Sequence, residues 1–354
     1  MSVVQYKCPN CGGSLEFKAD SQSFKCEYCM SEFSKDEMNE AVGESGQNTA
    51  DTGIVGEQQQ TEFNEHTNLY ICDNCGAEII ADENTAATFC YYCHSPVSLK
   101  GRLSGQYRPG KVIPFKHTRE QALEIYKQWC GKKWFLPKDF VSESQLEKIT
   151  GLYVPFWLAD CKVNSALSGE GHISTSHTQG EYRITHTKVF HVERAAFLDY
   201  SKVPADGSKK LDDKLMDAVE PFDYSGMIDF DMAYLSGFFA DKYDVERNEV
   251  IPRIRDRIAD GAMDVLRGDI HGYTSFTVQN SYINLIRTDW QYALLPVWFM
   301  TYKHKGKDYF YAMNGQTGKM AGILPVSGAK LAVLGAILFA VFGTLGFLIG
   351  GLFL

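Results

Sequence analysis

The rhythm of polar and apolar positions changes several times along the chain. Ser14-Leu15-Glu16-Phe17-Lys18 alternates and predicts a strand, with Ser23-Phe24-Lys25 as its partner. Glu78-Ile79-Ile80 and Thr88-Phe89 predict a second, similar pair. Between them, from about Asp36 to Asn64, the periodicity fails. This stretch carries Gly43, Gly46, Gly53, Gly56 and the run Gln58-Gln59-Gln60, with few bulky apolar residues. It cannot bury enough surface to offset its ordering entropy and reads as a disordered acidic tether over 36–67. A charged interaction segment is the alternative; the composition favours a solvated linker.

From Lys111 the pattern is mixed. Lys111-Val112-Ile113-Pro114-Phe115 is extended, and a helix follows through about Cys130, with Ala122, Ile125, Tyr126 and Trp129 at helical spacing. Thr118 is its expected N-cap, without a Glu three residues on. Gly169 to Ala196 alternates as antiparallel strands, and Val203-Pro204-Ala205-Asp206-Gly207-Ser208 is a turn. A short helix, Asp212 to Glu220, stops at Pro221. A longer one, about Glu246 to Leu266, has an apolar stripe beside Arg253, Arg255 and Arg257. Those arginines could touch acidic headgroups or a partner, but such a run is more often a solvated face. Lys303 to Ala312, Asn314-Gly315-Gln316-Thr317-Gly318 and Lys319 to Ile323 read as a hairpin. Tyr153-Val154-Pro155-Phe156-Trp157-Leu158 resembles Leu294-Leu295-Pro296-Val297-Trp298-Phe299, 141 residues on. A duplicated α+β unit would explain the similarity, and so would edge-strand composition.

Leu331 to Leu354 is 24 residues without a charge. As a helix it spans ~36 Å, enough for a ~30 Å hydrocarbon core. A membrane span is expected over 329–354, and with it a tail-anchored, single-pass protein. Lys303, Lys305, Lys307, Lys319 and Lys330 precede the uncharged run from Leu331 and favour a cytoplasmic N-terminal side at the cell membrane. Gly343, Gly346 and Gly350 include one GxxxG match, a route to helix pairing and homo-oligomers, although glycine is common in such helices.

Cysteine spacing supplies the chemistry. Cys8, Cys11, Cys26 and Cys29 form a C-x2-C-x14-C-x2-C set, and Cys72, Cys75, Cys90 and Cys93 repeat it 64 residues later. Two-residue gaps let both thiolates of a pair face one ion, and four soft thiolates suit zinc in a closed, structural site. The glycine after each first pair fits the tight turn of a knuckle. Disulfides would need an oxidising compartment; Met1 to Lys7 enters the first knuckle without a cleavable signal peptide. Two zinc ions are therefore expected, with a rubredoxin-like iron site as the alternative. His94 reads as a surface residue rather than a ligand, since four cysteines already complete the set. Cys130 and Cys161 lack partners and read as buried thiols.

The net charge of −9 is uneven: zero over 1–35, eight acids and no Lys or Arg over 36–67, −3 over 68–100 and +2 beyond. Neither ribbon is a basic patch, which weighs against nucleic acid as a partner. His172, His177, His186 and His191 could form a metal or acid–base cluster, yet 172/177 and 186/191 are each five apart, on opposite faces of a regular strand. The chain has no GxxxxGK[ST], GxSxG, HExxH or GxGxxG motif. No catalytic or organic-cofactor site is expected, and the protein reads as a non-enzyme.

The expected fold is multidomain: a zinc ribbon at 1–35, the linker, a second ribbon at 68–100, an α+β cytoplasmic body at 101–328 and the span. The paired CxxC ribbons, the Val-Pro-Phe-Trp strand, Tyr234-Leu235-Ser236-Gly237-Phe238 and Asn314-Gly315-Gln316-Thr317-Gly318-Lys319 before a C-terminal span together resemble bacterial TFIIB-type zinc-ribbon membrane proteins. These are often labelled primosomal protein N′/helicase-like, although a helicase needs a nucleotide-binding loop that this chain lacks. The resemblance implies SPFH-type and PspA-like protein partners and a membrane-stress or membrane-organisation complex. The expected function is a membrane-anchored zinc-binding adaptor; a membrane-tethered, nucleic-acid-binding zinc ribbon is the alternative.

Overall fold

A computed structural model describes residues 8–37 apart from 9, 12–14, 27 and 36, and residues 57–350 apart from 83–88, 96, 103–106, 143–145, 147, 236 and 305. In chain order the strands and helices are β1 (Leu15–Lys18), β2 (Ser23–Cys26), β3 (Glu32–Phe33), α1 (Glu57–Glu65), β4 (Thr67–Cys72), β5 (Glu78–Asp82), β6 (Val97–Arg102) and β7 (Lys111–Val112). Then come α2 (Arg119–Gly131), β8 (Thr150–Gln179), β9 (Tyr182–Asp206), α3 (Asp213–Val219), β10 (Ile228–Asp229) and β11 (Phe239–Asp241). The chain continues through α4 (Arg247–Gly268), β12 (Ser275–His304), β13 (Lys307–Asn314), β14 (Met320–Gly322) and α5 (Gly328–Gly350).

The body is built on β8, which pairs antiparallel with β9 on one side and β12 on the other. At 30 residues, β8 and β12 each run ~100 Å. Their inner ends are covered on both faces. Tyr153, Trp157, Leu294 and Trp298 enter one core with α2, α4 and Phe17 and Phe24 of the first ribbon. Leu152, Val154, Phe156, Leu295 and Val297 enter the other, with α3 and the second ribbon. Such two-sided burial explains the continuous apolar runs. Further out α4 covers one face alone, with Val163, Ser165 and Leu167 buried between exposed or half-exposed neighbours. The tip, around Gly180, is exposed.

The two Pro–Trp runs lie side by side, with Leu295 opposite Val154. Their surroundings match. Pro155 and Pro296 carbonyls each accept a 2.8 Å bond, from the amides of Gly207 and Gly315. The Gly207 carbonyl accepts from Asp244 and Val245, and the Gly315 carbonyl from Lys116 and His117. Trp157 Nε1 donates to the Val245 carbonyl at 2.9 Å, and Trp298 Nε1 to that of His117 at 3.1 Å. Each half therefore has the order short strand, helix, long strand, return strand. The short strands are exchanged: β7 runs parallel to β12, and β11 parallel to β8. This correspondence supports the duplicated unit over edge-strand composition.

Several expectations change. The last part of the acidic linker is helical: α1 buries Phe63 against Phe230, with ring centroids 5.7 Å apart. One aromatic residue supplies the anchor that the surrounding composition lacks; 38–56 lie outside the described residues. Thr118 does form a capping box, with Gln121 completing it. Arg253 and Arg257 do not form a free solvated face: Arg253 pairs with Asp206 at 2.6 Å, both bond Asp217, and Arg257 pairs with Glu220 at 2.9 Å. These contacts tie α4 to the α3 region.

Candidate metal centres

Both cysteine sets converge. In the first, Cys8 Sγ is 3.4 Å from Cys29 Sγ, and Cys11 Sγ is 3.4 Å from Cys26 Sγ. In the second, Cys72 and Cys93 are 3.5 Å apart and Cys75 and Cys90 3.6 Å. All sulfurs of each set lie within 4.8 Å of one another. A tetrahedron with metal–sulfur bonds of ~2.3 Å has sulfur–sulfur edges of ~3.8 Å, so the residues fit a bound ion after a slight expansion.

The knuckles create this geometry. Gly76 N donates to the Cys72 carbonyl at 2.8 Å, Met30 N to that of Cys26 at 3.0 Å and His94 N to that of Cys90 at 2.7 Å. Each donor has positive φ: +69° at Gly76, +60° at Met30 and +57° at His94. Glycine tolerates this region freely, whereas Met30 and His94 adopt it at a steric cost. Gly12, the equivalent residue of the remaining knuckle, lies outside the described residues.

The sites differ in setting. Cys11 and Cys29 are exposed, and hydrogen bonding with Ser31 brings the Cys29 thiol down to about 6. In the second set burial pushes Cys90 well up. Burial also raises Cys93, but hydrogen bonds with Asn74 and Ser95 outweigh it and leave the thiol at about 6. Metal binding must displace the protons that remain.

The second ribbon is part of the body's sheet. β5 pairs with β11, placing Ile80 opposite Ala240. The two residues inside its last knuckle point into the body: Tyr92 Oη donates to Asp241 Oδ2 at 2.7 Å, and Tyr91 Oη to Oδ1 at 3.2 Å. Ser208 Oγ donates to the same carboxylate at 2.5 Å. Burial pushes the Asp241 carboxyl up to about 6, although these hydroxyls favour its charged form. His94 is half-buried, with its ring 3.4 Å from the Thr301 carbonyl, and so belongs to the ribbon–body contact rather than to open surface. Asp241 and Ser208 escaped sequence reading because they lie far from the cysteines in the chain. The signal within reach was a pair of tyrosines filling a CxxC gap.

The first ribbon docks more lightly. Phe17 and Phe24 pack on Tyr234 with centroids 5.1 and 5.7 Å away, and Gln22 Nε2 donates to the Phe115 carbonyl at 2.7 Å.

The histidines do not gather. His177 and His186 stack on one face at 5.7 Å, while His172 and His191 share the other with Glu170 and Glu193. His191 Nε2 is 3.0 Å from Glu193, but His172 Nε2 stands 3.6 Å from Glu170, beyond hydrogen-bond length. Among the described residues the cysteine sets are the two groups that could hold a metal ion. Cys130 and Cys161 are buried, and burial raises the Cys130 thiol to about 11.

α5 contains Gly328–Leu345, long and apolar enough to cross a membrane and unburied against the rest of the protein. No protein-family model and no solved structure matches the chain. The chain is 33% identical over 346 residues to the uncharacterized protein YdjG of Bacillus subtilis (strain 168), covering 93% of this chain and 92% of that protein. With that identity along nearly its full length, the chain belongs to the family of YdjG.

Proposed function

We propose that the protein is a membrane-anchored, zinc-binding adaptor without enzymatic activity, presenting its first ribbon to protein partners at the cytoplasmic face of the cell membrane. The observation that carries this reading is the convergence of four cysteines in each ribbon, which leaves no ligand position open for substrate. Zinc is preferred to iron on the CxxC spacing and on a reducing cytoplasm, which would keep those thiols available. The lysines before α5 favour that orientation. The resemblance to TFIIB-type zinc-ribbon membrane proteins suggests SPFH-type and PspA-like partners in a membrane-stress complex, and Gly343, Gly346 and Gly350 offer a route to self-association.

The test is capture of the full-length protein from detergent-solubilised membranes beside a Cys8→Ser variant. Defined protein partners lost in the variant, with the body still folded by circular dichroism, support the adaptor. Salt-sensitive recovery of DNA or RNA would overturn it in favour of nucleic-acid binding.

A further inference from the structure

The loop after α2 reads Lys132-Lys133-Trp134-Phe135, and it meets the root of α5. Ser327 N donates to the Phe135 carbonyl at 2.7 Å, and the Ser327 carbonyl accepts from Leu331 N in the helix's first turn. A second tie lies alongside: Tyr311 Oη donates to the Ile323 carbonyl at 2.8 Å, and Trp129 of α2 packs edge-on against Tyr311. The loop is thus fixed at the level where the apolar helix begins.

Its side chains suit that level. Of the chain's five tryptophans, Trp157 and Trp298 are buried and Trp129 and Trp290 partly so, whereas Trp134 is 83% exposed. Ile323 and Val326, on the approach to α5, are also exposed. Lys132 and Lys133 are exposed beside Trp134, and Lys330 sits in the first turn of α5. Asp139, the acid of the 132–141 segment, receives the Tyr302 hydroxyl at 2.8 Å.

We infer that Trp134, Ile323 and Val326, flanked by Lys132, Lys133 and Lys330, form a docking patch for the anionic headgroup layer of the membrane that α5 crosses. This rests on α5 being a span. A headgroup layer is ~5–8 Å deep on each side, and Trp134 is one residue from a backbone bond to the helix root. Tryptophan's apolar ring and polar N–H suit that layer, and lysines beside it attract anionic lipid. The patch holds the body at a fixed height and tilt above the bilayer.

Full-length protein reconstituted into vesicles of phosphatidylcholine with phosphatidylglycerol, brominated near the top of the acyl chains, tests the patch. Tryptophan emission should contain a quenched component that is absent in Trp134→Phe and weaker in vesicles of brominated phosphatidylcholine alone. Lys132→Glu/Lys133→Glu should lose most of it while the far-ultraviolet circular dichroism is retained. Protein that resists carbonate extraction yet shows no quenching, or equal quenching in Trp134→Phe, overturns the patch alone. Quenching indifferent to phosphatidylglycerol overturns the anionic-lipid assignment. Carbonate extraction of the protein overturns the span and the patch with it.

Discussion

At the residue scale, the join between the second ribbon and the body comes down to Asp241. A buried carboxylate is costly unless hydrogen-bonded, and Tyr92, Tyr91 and Ser208 supply the donors. Tyr92→Phe should cost about 1.5–3 kcal/mol in chemical denaturation, the range for a hydrogen bond to a charged group. The carboxyl stands at about 6 against an ordinary 3.8, so between those values the folded state holds a proton that the unfolded chain has released. Its contribution is fully present below about pH 4 and is lost as pH rises through about 6. Asp241→Asn should therefore gain stability relative to the natural protein between pH 5 and 7; a constant difference across that range would refute the assignment. Gly315 is a steric counterpart: an added Cβ would meet the Phe115 ring at 2.6 Å and Pro296 at 3.0 Å. At the duplicate position, Gly207, the first atom met is Tyr243 Cβ at 3.2 Å. Gly315→Ala should cost about 1–3 kcal/mol, more than Gly207→Ala, in parallel melts.

At the scale of elements, the ribbons share a cysteine pattern but differ in attachment. β4–β5–β6 continues into the body's sheet through β11, whereas β1–β2–β3 forms its own three-stranded sheet packed against Tyr234. Cys72→Ser should therefore lower the melting temperature of the body, while Cys8→Ser should leave the main transition nearly unchanged. Equal effects would contradict the difference in attachment. What the sequence made legible follows from range. Cysteine knuckles and helix caps are set by neighbours a few residues apart and could be read directly, whereas Val203–Asp206, expected as part of a turn, continues β9 because it pairs with the buried inner end of β8. The pairing of Ile80 with Ala240 joins residues 160 apart and left no local trace. The length of β8 was hidden for another reason: its pattern passes from continuous burial to alternation to full exposure, because the cover changes from two layers to one to none. The duplication showed locally as Pro–Trp runs, but the exchange of short strands did not.

For the whole molecule, α5, the ties at Ser327 and Ile323, and a body carrying two closed cysteine sets describe an anchored platform. Metal occupancy is the central claim of the proposed function, because the second set stands at the junction between ribbon and sheet and the first lies in the ribbon proposed to meet partners. The most direct measurement is native mass spectrometry of the full-length protein released from detergent micelles, beside Cys8→Ser and Cys72→Ser. The account predicts the chain mass plus two zinc ions, and one fewer in either variant. A folded chain that carries iron, or no metal at all, would contradict it.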